Sequence, residues 1–286
     1  MKDLLACTAL ITGASSGIGA EFARQLAPIA AQLILVARRE DRLEELAEQL
    51  RVENPALRVA VRPTDLTNMS DTQLLCDWIE TEGFELDLLI NNAGLGDHGP
   101  FETADWSRLD EMLQVNVVAL TYLCHRLVPS LRYHRPGAIL NVSSMASMMP
   151  IPGLGVYAAT KAYVSSFSES LRAELAGTGV GVTHLCPGPV ETEFAKVAKR
   201  EGRATRGQAT PDYLEVPVQQ VVREGLHAIA NDRPRVVPGT LAKLAAVSIA
   251  LAPLFLLRYF LARRVEAMRP PRDPQHCEFD AELDLP

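Results

Sequence analysis

Short apolar runs alternate with amphipathic stretches through most of the chain. The runs Cys7–Thr12, Leu33–Ala37, Leu57–Val61, Leu86–Ile90, Ala138–Val142, Val180–Cys186 and Arg235–Val237 are each too short for a buried helix. Strands covered on both faces read as continuous apolar segments of this length. Between them lie stretches of helical period, Ala20–Ala27, Asp41–Leu50, Asp71–Glu82, Asp105–Leu131, Tyr157–Ala176 and Glu215–Ala230. Strands and helices in strict alternation predict an α/β fold, a doubly wound parallel sheet of about seven strands with helices on both faces.

The first strand ends in Thr12-Gly-Ala-Ser-Ser-Gly-Ile-Gly19, which leads directly into a helix. Glycines there let the backbone approach a pyrophosphate, and the helix start supplies N–H groups and a positive dipole. This makes the fold Rossmann-type and predicts a dinucleotide site. The second strand runs into Ala37-Arg38-Arg39. A carboxylate at that place would bind a free ribose 2′-hydroxyl. An alanine followed by two arginines suits a 2′-phosphate instead, and so predicts NADP(H) over NAD(H).

Two further patterns carry chemistry. Tyr157 and Lys161 are four residues apart on one helix, hence on one face. A fixed ammonium beside a phenol is expected to lower the phenol's pKa into a range useful for proton exchange. The fifth strand delivers Ser143 and Ser144, of which alternation allows only one to face the site. Asn116 stands inside a helical stretch, where its side chain competes for backbone hydrogen bonds.

These motifs together resemble the short-chain dehydrogenase/reductase family over about residues 6–240. The resemblance implies an oxidoreductase that reduces a ketone or aldehyde carbonyl or oxidises the matching alcohol. Ser144, thirteen residues before Tyr157, would polarise the carbonyl, and Tyr157 would donate the proton. Lys161 would bind the nicotinamide ribose, and Asn116 would hold a water linking it to solvent. Gly13, Ser15, Ser16, Gly17, Ile18 and Gly19 would surround the pyrophosphate and adenosine ribose. Arg38 is the first choice for the 2′-phosphate and Arg39 the second. Asp65 and Leu66 would flank the adenine, Asn92, Ala93 and Gly94 the neighbouring ribose, and Pro187, Gly188, Val190 and Thr192 the nicotinamide amide. The family also implies a homodimer or homotetramer.

Composition narrows the rest. The net charge of −7 argues against nucleic-acid binding. Five scattered cysteines without a Cys-x-x-Cys pair suit reduced thiols in a cytoplasmic setting, and the histidines lack metal-ligand spacing, so no metal site is expected. The first eleven residues read as a strand rather than a signal peptide, because Asp3 interrupts the would-be basic region.

The chain divides into a core of residues 1–240, with a substrate lid at 191–216, an apolar-basic extension at 241–272 and an acidic tail at 273–286. The lid is rich in Lys196, Lys199, Arg200, Arg203 and Arg206, which suits an anionic handle such as an acyl thioester, though it suits a solvated loop better. Leu244–Leu257 is uncharged for fourteen residues, short of a membrane span. Six basic residues against Glu266 between Lys243 and Arg272 leave three readings for 241–264: a cover over the substrate pocket, a subunit contact, or a helix on an anionic membrane surface. Two further functions stay open, a membrane-surface lipid or 3-oxoacyl reductase and a non-catalytic NADP(H) sensor.

Overall fold

The computed structural model describes residues 4–132, 136–198 and 215–253, together with 255, 258, 261 and 263. Seven strands, β1 (Thr8–Thr12), β2 (Gln32–Ala37), β3 (Arg58–Pro63), β4 (Leu88–Asn91), β5 (Ala138–Val142), β6 (Gly181–Leu185) and β7 (Arg235–Val236), form one parallel sheet. Their order is β3-β2-β1-β4-β5-β6-β7. The order reverses between β1 and β4, and the crevice at such a switch point is where this architecture binds ligands.

Period-two alternation divides each strand between two cores. Ile11, Leu33 and Leu35 point into one layer with Phe22, Leu26, Leu43, Leu50, Val221 and Ile229. Those partners belong to helices α1 (Gly17–Leu26), α2 (Glu40–Glu53) and a later helix, Val218–Ala230. Leu10, Ile34 and Val36 point the other way, against Leu75, Ile79, Leu120, Leu123, Leu127 and Val164. These come from α3 (Met69–Thr81) and from helices at Leu120–Leu131 and Gly155–Glu174. Each such buried side chain contributes roughly 1.5–3 kcal/mol of transfer free energy, which is why the central strands are mostly apolar on both faces.

The long helical stretch expected over Asp105–Leu131 is broken into three parts. It forms α4 (Trp106–Leu113), a π-helical turn (Gln114–Ala119) and α5 (Leu120–Leu131). The break falls around Asn116, whose amide bonds outside its own helix. A π turn re-aims side chains by inserting a residue into the helical ladder, and such turns concentrate at functional sites.

The remaining helices are α6 (Gly155–Glu174), α7 (Glu193–Ala198), α8 (Val218–Ala230) and α9 (Thr240–Leu251). Residues 199–214 of the expected lid and 264–286 of the extension and tail lie outside the described residues. α9 is tied to α8 by Lys243 Nζ donating to Glu224 at 2.9 Å, and it stops before Pro253.

Candidate active site

The carboxyl ends of β1, β4, β5 and β6 bring the site together. The turn after β1 is built by close backbone approach. Gly13 has φ +66°, and a Cβ at Gly19 would stand 2.3 Å from the Gly13 carbonyl oxygen and 2.5 Å from Asn92 Nδ2. Thr12 Oγ1 accepts the N–H groups of both Asn92 and Ala93 at 3.0 Å, while Asn92 Nδ2 donates to the Thr12 carbonyl at 2.9 Å. The Asn92 side chain is therefore spent on locking β4 to the nucleotide turn, leaving Ala93 and Gly94 as backbone. Across the cleft, Thr192 Cγ2 would be 3.2 Å from a Cβ at Gly17, so the segment after β6 closes onto the same turn.

β5 ends in the two serines, and they face apart. Ser143 is buried, donating to the Lys161 carbonyl at 2.8 Å and sharing a 2.8 Å bond with Ser165 Oγ. Ser144 caps the short 3-10 turn Met145–Met148 by accepting from Ala146 N at 3.0 Å, and its hydroxyl lies close enough to the Tyr157 phenol to favour the phenolate.

Lys161, almost fully buried, donates to the Val142 carbonyl at 2.8 Å, and its Nζ lies 5.9 Å from the centroid of the Tyr157 ring. Burial pushes its pKa down to about 8. Tyr157 moves opposite to the sequence expectation: burial raises its pKa to about 12, and the only opposing influence is the Ser144 hydrogen bond. Four-residue spacing brings the ammonium beside the ring, but that ammonium is bonded to the Val142 carbonyl, and desolvation of the phenolate sets the direction of the shift.

Asn116 is completely buried. Its Oδ1 accepts from Leu95 N at 2.8 Å, and Nδ2 donates to Leu95 O at 2.9 Å and to Thr160 Oγ1 at 3.0 Å. Both donor hydrogens are used, so a water at this amide can only donate to it. A Cβ at Gly94 would lie 3.3 Å from both Asn116 Oδ1 and Lys161 Nζ, which puts the two polar groups around one backbone point.

At the end of β2 Arg38 is exposed, whereas Arg39, the second choice on sequence grounds, is half-buried and turns toward the glycine turn. Arg39 Nη2 donates to Ser15 Oγ at 3.0 Å and Ser16 Oγ at 2.9 Å. Arg42, which the sequence reading passed over, joins it. The Arg39-x-x-Arg42 spacing is the signal that could have found it, since residues three apart at a helix start share a face. Both arginines hold Glu193, and Arg42 and Glu193 border, with Ser15, Ser16 and Gly17, a polar cleft of about 380 Å³. A larger hollow of about 540 Å³ between the ends of α3 and α5 lies far from these groups, and its Arg126 is already paired with Asp77 and Glu80.

Asp65 accepts from Thr67 N and Oγ1 at 3.0 and 2.9 Å, shaping the turn after β3, and Leu66 is buried beside it. Pro187 accepts from Met145 N at 2.9 Å, joining the segments after β5 and β6. Gly188 is half-buried in that segment, and Val190 packs on the core below. Ile18 does the same from the start of α1. Phe194 of α7 packs over Tyr157, ring centroids 5.5 Å apart. Among the described residues no group of three or more His, Cys, Asp or Glu could hold a metal ion, and no helix is long and apolar enough to cross a membrane.

Residues 7–202 match the family model of the short chain dehydrogenases. The chain belongs to that family. It is 40% identical over 216 residues to a sulfoacetaldehyde reductase from Chromohalobacter salexigens, covering 75% of this chain and 81% of the relative. Among solved structures, a short-chain dehydrogenase from Sphingobium yanoikuyae in complex with NADPH superposes with a TM-score of 0.74 at 29% identity, covering 94% of this chain and 97% of that one. A short-chain dehydrogenase/reductase from Burkholderia phymatum in complex with NAD gives 0.75 at 27% identity, over 96% and 99%. The short-chain dehydrogenases are oxidoreductases of alcohol and carbonyl groups, and this chain is one of them.

Proposed function

We propose that the chain is an NADP(H)-dependent carbonyl reductase. The observation that carries this is the Ser144 hydroxyl beside the Tyr157 phenol, with the buried Lys161 ammonium on the same helix. The residues fit the cofactor. Gly13 through Gly19 offer a turn without side-chain bulk for the pyrophosphate, Arg39 and Arg42 offer four donors to a 2′-phosphate, and Gly94 leaves backbone room beside Lys161 for a ribose. Asp65 and Leu66 border the adenine end, and Pro187 to Thr192 the nicotinamide end. The cofactor, when bound, supplies the hydride.

The chain's own residues do the rest. Ser144 and Tyr157 both donate to the carbonyl oxygen, which orients it and stabilises the developing alkoxide. Tyr157 Oη then gives up its proton. A phenol held at a pKa of about 12 keeps that proton until an oxyanion forms, which suits the reductive direction. Positive charge on Lys161 favours the tyrosinate left behind.

Identity to a sulfoacetaldehyde reductase and the basic sequence of 196–206 both support an aldehyde or ketone with an anionic handle. A second reading rests on α9. Its Ala242 and Ala246 pack beside Met145 and Met148, next to Ser144, while Leu241, Leu244, Val247 and Leu251 are exposed. An apolar face beside the substrate end favours an acyl or membrane-derived carbonyl. Exposed Val118 and Tyr163, near α5 and α6, support pairing of two copies, and the buried thiols of Cys76, Cys124 and Cys186 support a cytoplasmic setting.

The test is NADPH oxidation with sulfoacetaldehyde, small ketones and 3-oxoacyl thioesters of graded length, with Tyr157→Phe as control. Turnover that disappears in the variant supports the proposal, and a chain-length optimum selects the second reading. Tight NADPH binding with no turnover on any carbonyl would overturn it in favour of a cofactor sensor.

A further inference from the structure

Glu193 opens α7, yet its carboxylate lies at the far, nucleotide end of the site. Oε2 is 3.0 Å from Arg39 Nη1, and both carboxylate oxygens lie within hydrogen-bond distance of Arg42 Nη1, at 2.8 and 2.9 Å. Arg39 is at the same time bound to the hydroxyls of Ser15 and Ser16. The two guanidinium groups thus grip an anion at the rim of the glycine turn, and the anion comes from the chain itself. Their hydrogen bonds hold its pKa down to about 2, so it stays charged at neutral pH.

The rest of α7 faces the chemistry. Phe194 packs on Tyr157 and lies so close to Gly96 that a Cβ there would be 2.7 Å from its ring. Val197 O accepts from Arg108 Nη2 at 2.9 Å, and Ala198 O accepts from His98 N at 2.9 Å. One six-residue helix therefore connects the anion held by Arg39 and Arg42 to the aromatic cover over the proton donor.

We propose that Glu193 is an internal stand-in for the cofactor's 2′-phosphate: the phosphate displaces the carboxylate from Arg39 and Arg42, and its departure releases α7 from Tyr157. This rests on the NADP(H) reading above. A phosphate with up to two charges and three oxygens outcompetes a single carboxylate for two guanidinium groups, whereas an uncharged 2′-hydroxyl does not. NAD(H) would bind with Glu193 in place and Phe194 still over the phenol. Selection between the cofactors then acts through the cover on the catalytic tyrosine as well as through affinity.

The experiment compares adenosine 2′,5′-bisphosphate with adenosine 5′-monophosphate, which differ only in the 2′-phosphate. Binding is measured by calorimetry on the full chain, Glu193→Gln and Arg42→Ala, and amide exchange is followed over residues 193–198 and at His98. The expected result is that Glu193→Gln binds the bisphosphate about fivefold tighter, with the monophosphate unchanged, as for loss of one charged competitor. In the unsubstituted chain the bisphosphate, but not the monophosphate, should speed exchange at His98. If that chain prefers the bisphosphate and Arg42→Ala abolishes the preference, yet Glu193→Gln binds no tighter, the stand-in is overturned while the cofactor reading survives. Equal binding of both nucleotides to the unsubstituted chain would overturn the cofactor reading, and the stand-in with it.

Discussion

The amide of Asn116 brackets the backbone of Leu95, accepting its N–H at 2.8 Å and donating to its carbonyl at 2.9 Å. One side chain in the π-helical turn thereby replaces a strand partner for the chain leaving β4, and it fixes Gly94 beside Lys161. Replacing it strands both backbone groups of half-buried Leu95. Asn116→Ala should lose about 2–4 kcal/mol in urea denaturation and weaken NADPH binding. Asn116→Asp should rescue neither, because a carboxylate cannot donate to Leu95 or Thr160. A fully stable aspartate variant would show that the bracket is dispensable.

Lys161 sets function against stability. Its pKa is about 8 when folded and near 10.4 unfolded, so the unfolded chain holds more protons between those values. Stability from this group therefore rises as pH climbs through that window and is lost as pH falls toward 8. At pH 7 the full cost, on the order of 3 kcal/mol, is in force. Lys161→Met removes the cost along with the bond to Val142, and should match or exceed the parent's stability at pH 7. Its turnover should drop at least about 100-fold. Denaturation at pH 8 and pH 10 should show the parent gaining on the variant; a parent that loses ground would reverse the sign argued here.

The glycine turn tolerates no side chain where backbone meets backbone. Gly19→Ala would force a Cβ against the Gly13 carbonyl, and should cost more than about 3 kcal/mol or prevent folding. Gly155→Ala, at the start of α6 with nothing within 4 Å of the added carbon, is the control and should be neutral or slightly stabilising. Thermal melts of the two variants check this. Equal melting points would mean that α1 can move away from the turn at little cost.

The strands were readable because burial on both faces leaves continuous apolar runs, and the glycine turn because strand, glycines and helix follow one another directly. Helical period alone could not separate π from α winding. Asn116 marked the place of the break only by being an awkward residue there. The opposite direction of the Tyr157 shift was also hidden, since spacing gives proximity along a helix but not the depth at which a hydroxyl is buried. Glu193 joins arginines about 150 positions away, and no local pattern encodes such a pairing. Arg38 and Arg39 differ by one step at the end of β2, where the direction of the turn decides which one enters the site.

Cofactor choice should follow the arginines that reach the turn. Arg42→Ala and Arg39→Ala should each raise the Kd for NADPH by about tenfold or more while leaving NADH within about twofold, and Arg38→Ala should do neither. Fluorescence titration of the reduced nicotinamides measures this. A loss confined to Arg38→Ala would move the phosphate site to the exposed side of the strand end.

Cys7, Cys76, Cys124 and Cys186 are buried. Burial lifts the Cys76 and Cys124 thiols to about 12 and raises Cys186 as well. At neutral pH the Cys76, Cys124 and Cys186 sulfurs offer an alkylating reagent or peroxide almost no thiolate, and any of the four buried thiols reacts only when the chain around it opens. One thiol leads into β1, one lies in α3, one in α5 and one follows β6, so their modification rates are four local clocks. Read together under a single reagent, they would show whether the nucleotide half and the substrate half of the sheet breathe as one unit or separately.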